Sequence, residues 1–251
     1  MYEADKSLIL PPEGRTLWRY MDFTKFVNLL ATRSLFFCRA DKFADRWEGV
    51  YTAPTLEFLR NSYMRNGETG TSEAFAAYFR RVQMPSYMIN CWHLNEQESA
   101  AMWRLYCQTT EAIAIRTSVT RLKQCFASTP ERIFIGRVKY LDYSKDEMPF
   151  GFSGARTGQE KQTYFFPPFF SKRNSFAHEM EVRAVTFQPN PVQAVEVGIT
   201  VQVDLEVLIE RVYVAPGAPD WFVRTARSVI KKFLPEQVEV FASRLDDPPI
   251  M

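Results

Sequence analysis

The chain has 251 residues, 46% of them hydrophobic and 24% charged, enough apolar content for a sizeable core in one domain and too much for wholesale disorder. The formal net charge is +2 and the pI about 8.3, too weakly basic for charge alone to indicate nucleic-acid binding. The 10 glycines form no GxGxxG and no GxxxxGKS/T, so a Rossmann turn and a P-loop both lose support.

The opening residues, MYEADKSLILPPEGR, start acidic and hold no long apolar stretch, so they do not read as a signal peptide. No run of about 18 apolar residues marks a membrane span. Cys38, Cys91, Cys107 and Cys125 form no CxxC, which suits a reducing cytosol and predicts a cytoplasmic protein. Residues 17–21 (LWRYM) predict a short strand. Residues 22–30 follow with Phe23, Phe26, Val27 and Leu30 at helical spacing. Residues 34–38 (SLFFC) read as a buried strand. Residues 52–65 and 72–82 predict two helices joined by NGETGT, a helical insertion at about 52–82 within a single domain spanning 1–251.

Residues 87–93 (YMINCWH) predict a strand, after which Asn95 with Glu98 matches a capping box. Ser99, Met102, Trp103 and Tyr106 share one face of the helix that follows. Residues 111–116 read as a strand, 118–126 as a short helix, 132–140 as a longer strand and 143–169 as a long connection. Strands are predicted at 196–203 and 210–214, a helix at 219–234 and a closing strand at 238–242. This last unit is a strand-helix-strand with parallel strands. The whole predicts an α+β fold: a mixed, largely antiparallel sheet with flanking helices.

The richest stretch for chemistry is KRNSFAHEMEVR, residues 172–183. In a strand, Glu179, Glu181 and Arg183 project from one face while Met180, Val182 and Ala184 point the other way. Three aligned charges either form a solvated ladder of pairs with Lys172 or line a polar cleft. In a cleft, Glu181 and Glu179 are the candidate catalytic carboxylates, and Lys172 and Arg183 the candidate substrate-binding cations. Arg19 interrupts an aromatic strand between Trp18 and Tyr20. It is either a structural ion-pair partner, Glu181 being one candidate, or a clamp for phosphate or carboxylate. Trp103 and Tyr106 are core filler or a stacking platform. Cys91 and His93 share a strand face, but two ligands do not make a metal site, so no metal is expected.

These motifs resemble an uncharacterised bacterial family of unknown function. The resemblance runs through Trp18-Arg19-Tyr20, Phe43-Ala44-Asp45-Arg46-Trp47-Glu48, Trp103 with Tyr106, and Lys172, Phe176, Glu179, Glu181 and Arg183. Ala44, Arg46 and Phe176 depart from the residues usual there. A more distant likeness is to the ADP-ribosyltransferase superfamily, with Arg19 on an early strand, Glu179-Met180-Glu181 on a late one, and Thr117-Ser118 similar to its Ser-Thr-Ser element. That likeness implies NAD as substrate. Arg19 then holds the diphosphate, Glu181 holds the nicotinamide ribose and supports the oxocarbenium ion, and Tyr20 or Tyr106 stacks on nicotinamide beside Trp103. It also implies a toxin or phage-defence context. Two rival readings stand beside it: a non-enzymatic module binding a nucleic-acid or protein partner, and a metal-independent hydrolase or nuclease acting through Glu179, Glu181 and Asp45.

Overall fold

A computed structural model describes residues 1–65, 84–148, 153–154, 163–164, 166–188, 196–234, 238–247 and 249. In chain order the elements are β1 (Tyr2–Glu3), β2 (Thr16–Asp22), α1 (Phe23–Thr32), β3 (Ser34–Arg39), α2 (Ala53–Arg65), β4 (Tyr87–Leu94), α3 (Ala100–Tyr106) and β5 (Ala112–Ser118). Then come α4 (Val119–Gln124), β6 (Ile133–Arg137), β7 (Lys139–Leu141), β8 (Ser153–Gly154), β9 (Thr163–Tyr164), β10 (Ser171–Arg173), β11 (Glu181–Phe187) and β12 (Gly198–Gln202). The chain ends through α5 (Leu205–Leu208), β13 (Arg211–Val214), α6 (Asp220–Phe233) and β14 (Glu239–Ala242). The expected helix at 72–82 and much of the 143–169 connection lie outside the described residues.

Ten strands form one sheet in the order β1-β6-β11-β4-β2-β5-β13-β14, with β3 and β12 branching from β4. Only β1–β6 and β13–β14 pair in parallel within it. The fold is therefore α+β with a mixed, largely antiparallel sheet. One face carries α1, α4 and α6 over a core that includes Leu17, Met21, Trp92, Leu94, Ile113, Ile115 and Val182. The opposite face buries Trp18, Tyr20, Ala112 and Ala114 against Met102 and Trp103 of α3. Farther along, that second side is filled by aromatics, where Tyr87 and Phe169 stack with ring centroids 3.9 Å apart. Helix α1 shows how local pattern becomes packing. Phe26, Leu29 and Leu30 point into the core, and Arg33, in the left-handed region at φ 50°, ends the helix. Burying a side chain such as Phe26 stabilises the fold by about 1.5–3 kcal/mol. In α6 the buried residues Phe222, Ala226 and Ile230 recur every fourth position, with Asp220 in the first turn and Lys231 and Lys232 in the last, matching the helix dipole.

Two features of the sheet prepare the site. The first is a fork. One edge of β4 pairs with β11 along its length, from Glu181↔His93 to Phe187↔Tyr87. The other edge is divided between β3, at Cys38↔Ile89 and Arg39↔Met88, and β2, at Leu17↔Leu94 and Trp18↔His93. Asn90, Cys91 and Trp92 fall in the gap, where a strand carbonyl or amide needs another partner. Asn90 fills part of it by donating from its side chain to the carbonyl of Phe36 at 2.9 Å.

The second feature corrects the expectation of one strand over residues 132–140. That segment is two strands broken at Val138, whose N–H donates to the carbonyl of Glu181 at 2.9 Å. After the break β7 leaves the main sheet and pairs in parallel with β10, setting Tyr140 opposite Lys172. Helix α3 also begins later than a capping box at Asn95 and Glu98 implies. Ser99 is its cap, accepting from the N–H of Met102. Glu98 instead accepts from Trp103 Nε1, Ser243 Oγ and the backbone of Arg244, tying α3 to the C-terminal segment.

Candidate functional site

The charged row does not lie in a single strand. Glu179 ends a 3-10 turn (Asn174–Glu179), Met180 adopts a left-handed conformation at φ 43°, and β11 starts only at Glu181. Reversal at Met180 swings Glu179 back toward Lys172 while Met180 itself stays exposed. The two carboxylates therefore converge on one ammonium. Lys172 Nζ donates to Glu179 Oε2 at 2.9 Å and to Glu181 Oε1 at 2.6 Å.

Behind them Arg183, with 0% of its surface accessible, donates from Nε to Glu181 Oε2 at 2.7 Å, from both terminal nitrogens to Glu48, and to the carbonyl of Phe169 at 2.7 Å. The N–H of Glu181 donates to the hydroxyl of Tyr140 at 2.8 Å, and the hydroxyl of Tyr106 donates to Glu179 Oε2 at 3.0 Å. Glu48, Glu179, Glu181 and Lys172 are all buried. The solvated-ladder alternative is thereby excluded, and the expense of burying charge is met by pairing.

Burial alone raises the Glu181 carboxyl, but Arg183 and Lys172 outweigh it and hold the group well below the usual carboxylate range. Glu179 moves the opposite way, raised by burial and by the adjoining Glu181 carboxylate, with Lys172 opposing. Glu179 is thus the member of the pair that keeps a proton longer. Burial lowers Lys172, but Glu181 and Glu179 more than reverse this, so it stays an ammonium. Tyr106 is raised by burial and by Glu179.

At the fork, Arg19 stands in the row of Leu17 and Met21 and reaches the unpaired edge of β4. Its guanidinium donates to the carbonyl of Cys91 at 2.6 Å and lies 5.9 Å from the Trp92 ring centre. Among the described residues no carboxylate lies within ion-pair distance of it, so the expected pair with Glu181 is not formed. Burial lowers its pKa.

Arg19 and the acid pair line a single cavity of about 360 Å3 that opens through the split in the sheet. Trp18, Tyr20, Tyr106, Cys91, His93 and Lys172 line it too, with Phe36, Phe43 and Ile89 supplying apolar wall. His93 Nδ1 sits 2.7 Å from the carbonyl of Glu179 and must donate to it, which leaves Nε2 as an acceptor. That Nε2 has no partner among the described residues. Burial lowers the pKa of His93. No group of three or more metal-ligating side chains occurs among the described residues.

Other candidates stand elsewhere. Trp103 is buried, meets Tyr20 edge-on at 4.9 Å and donates to Glu98 at 2.9 Å, so it braces the cavity wall without lining it. Arg183 lies behind Glu181, outside the cavity lining. Both corrections have one cause, since each side chain is consumed by neighbours in the core. Thr117 is buried and donates to the carbonyl of Leu208, and Ser118 caps α4. Asp45 pairs with Arg173 at 2.9 Å and lines a second cavity, which neither Glu179 nor Glu181 lines.

Sequence reasoning missed Glu48 as the partner of Arg183, Tyr140 as the acceptor beside Glu181, and His93 as a cavity residue. Tertiary pairing places all three, and only the alternation of β4 hinted at His93. No helix among the described residues is long and apolar enough to cross a membrane. No family model, curated protein or solved structure matches the chain.

Proposed function

We propose that the forked-sheet cavity binds a nucleotide and that the protein is an NAD-using, ADP-ribosyltransferase-like enzyme. The observation that supports this is the meeting of Arg19 with Glu179 and Glu181 in one cavity, from opposite ends of the sequence. Arg19 uses one of its donors on Cys91, and the remaining donors suit a phosphate. The carboxyl end suits ribose hydroxyls, and Tyr20 and Tyr106 offer ring faces. A volume of about 360 Å3 is at the lower end of ligand sites, about 300–1,000 Å3, so it encloses the nicotinamide mononucleotide half. In the reaction the glycosidic C1′–N bond breaks, nicotinamide leaves with the bonding electrons, and an acceptor nucleophile bonds C1′ and loses its proton. Glu181 and Glu179 stand where a sugar cation gains from negative charge.

Incubation with labelled NAD and protein or nucleic-acid acceptors tests this. The expected result is nicotinamide release, lost in Arg19→Met and Glu181→Gln variants that still melt cooperatively. Absence of both NAD binding and nicotinamide release sinks the proposal.

One observation favours a second reading, binding of nucleic acid. Arg116 and Arg211 lie directly opposite each other on β5 and β13, an unfavourable juxtaposition of like charges. Both line an open groove of about 780 Å3 whose wall also carries Arg244, Glu96, Glu98 and Asp247, and of the opposed pair only Arg116 has a carboxylate partner, Glu210, among the described residues. A gel-shift series over salt decides it, since phosphate-driven binding weakens steeply as salt rises.

A further inference from the structure

The buried cluster behind the cavity holds three carboxyls, Glu48, Glu179 and Glu181, against two cations, Lys172 and Arg183. Arg183 serves Glu48 and Glu181, and Lys172 is shared between Glu181 and Glu179. Glu179 is therefore the odd carboxyl, with no cation of its own, and it lines the cavity. A second, independent feature points the same way. His93 lines the same cavity, is 6% exposed, and carries an acceptor nitrogen without a donor. This end of the cavity has acceptors to spare and a carboxyl without a cation of its own, while the Arg19 end has a cation to spare.

We infer that the acid end of the cavity takes a positively charged group, so that the ligand is zwitterionic, its cation at Glu179 and its anion at Arg19, and that Glu179, wherever it is protonated in the free protein, gives up that proton when this ligand binds. The inference rests on the nucleotide reading for its choice of ligand. Nicotinamide mononucleotide has this charge pattern, with a pyridinium at one end and a phosphate at the other. The groups that face Glu179 are Tyr106 from α3, Lys172 from β10, Glu181 with Arg183 behind it from β11, Tyr140 from β7, and His93 with Cys91 from β4. His178 precedes Glu179 in the chain. Of these, the cations Lys172 and Arg183 are already committed, and the two tyrosines stay neutral because burial raises them. The pKa of Glu179 is itself raised, so in the free protein the odd carboxyl holds its proton into a higher pH range than an ordinary glutamate. An incoming cation favours the ionised form, and the proton leaves to solvent.

Calorimetric titration of the intact protein with oxidised and reduced nicotinamide mononucleotide tests this, because the rings have similar shape but only the oxidised one is cationic. The oxidised form is expected to bind at least about tenfold tighter. Its affinity rises with pH by up to about tenfold per unit below the Glu179 midpoint. Proton release approaches one below the Glu179 midpoint and fades above it, read from the difference in heat between buffers of unlike ionisation enthalpy across a pH series. Glu179→Gln abolishes the proton release and the pH slope, and Glu179→Asp retains both. Equal affinity for the two rings, or no proton released by the wild-type protein at any pH of the series, overturns the inference while leaving nucleotide binding intact. The methylpyridinium cation, which has no sugar or phosphate, separates the two claims. If it binds with proton release while both mononucleotides fail, the cation site stands and the nucleotide reading falls. Failure of all three probes overturns both.

Discussion

Replacing Arg183 by methionine is the sharpest test of the buried cluster. The guanidinium is wholly inaccessible and donates to Glu181, to both oxygens of Glu48 and to the carbonyl of Phe169. Methionine fills much of the volume but leaves Glu48 buried without a cation, and the Phe169 carbonyl loses this donor. Glu181 retains Lys172. Removing one partner of a buried pair costs about 3–5 kcal/mol, a large share of the roughly 5–15 kcal/mol that holds a domain together. Chemical denaturation followed by two probes measures it. A loss below about 1 kcal/mol, the scale of a surface pair, refutes the burial and pairing described here. Changing Glu48 to methionine in the same protein should recover most of the loss, because replacing a whole buried pair by apolar groups is often close to neutral.

The pH dependence has a definite sign. In the wild type the folded-state pKa of Glu181 is depressed, so its stabilisation is present above the unfolded value of about 4.3 and is lost as pH falls through the folded one. In the Arg183→Met protein Glu181 has lost the cation that depresses it most, so less of this stabilisation exists to be lost on acidification. The stability gap between the two proteins therefore narrows below about pH 5.

Glu179→Gln should cost less than Glu181→Gln, since Lys172 still pairs with Glu181 when Glu179 is changed, whereas Glu181→Gln removes the charge that holds both Arg183 and Lys172 and should cost about 3–5 kcal/mol; parallel denaturant titrations compare them. Arg33→Gly should stabilise the protein by about 0.5–1 kcal/mol, because Arg33 ends α1 at φ 50° and glycine carries no steric penalty there. Its ion pair with Glu206, at 3.6 Å between exposed side chains, offsets little of this, and a thermal melt reads the shift. Tyr106→Phe removes a donor from the Glu179 carboxyl and should raise the Glu179 midpoint further, seen in a carbon-detected NMR titration, for a stability cost of about 0.5–1.5 kcal/mol.

Elements set by local apolar spacing were legible in the sequence. The strand around Arg19, helix α1, the strand ending at His93 and the parallel strand-helix-strand at the C-terminus all stand where the period of their apolar residues puts them. The failures occur where a distant group intervenes. Residues 132–140 read as one strand, yet the ladder with β11 ends at the bond from the Val138 N–H to the carbonyl of Glu181, and the residues beyond it pair with β10 instead. Asn95 and Glu98 fit a cap by spacing, yet Glu98 is taken by Ser243 and Arg244, leaving the role to Ser99. Met180 is the least readable residue of all, because a non-glycine side chain gives no sign of a left-handed backbone.

The same division explains how much of the site could be read. Glu179, Glu181 and Arg183 stood out because three charges preceded an apolar run, but their spacing said nothing of which would be committed to the scaffold. The structure separates them by remaining capacity. Arg183 and Glu48 saturate each other out of reach of the cavity, with Lys172 and Tyr140 holding Glu181 in place. Of the groups left with unused donors, acceptors or charge, Arg19, Glu179 and His93 line the cavity opened by the fork, while Asp45, Arg121, Tyr143 and Arg173 carry unpartnered buried atoms outside it. A polar cluster retained only for stability gains nothing from such surplus, since apolar replacement is often as stable. The surplus is instead distributed by sign, cationic where β2 leaves β4 and anionic where β11 begins, and that asymmetry is what a ligand with charge at both ends would recognise.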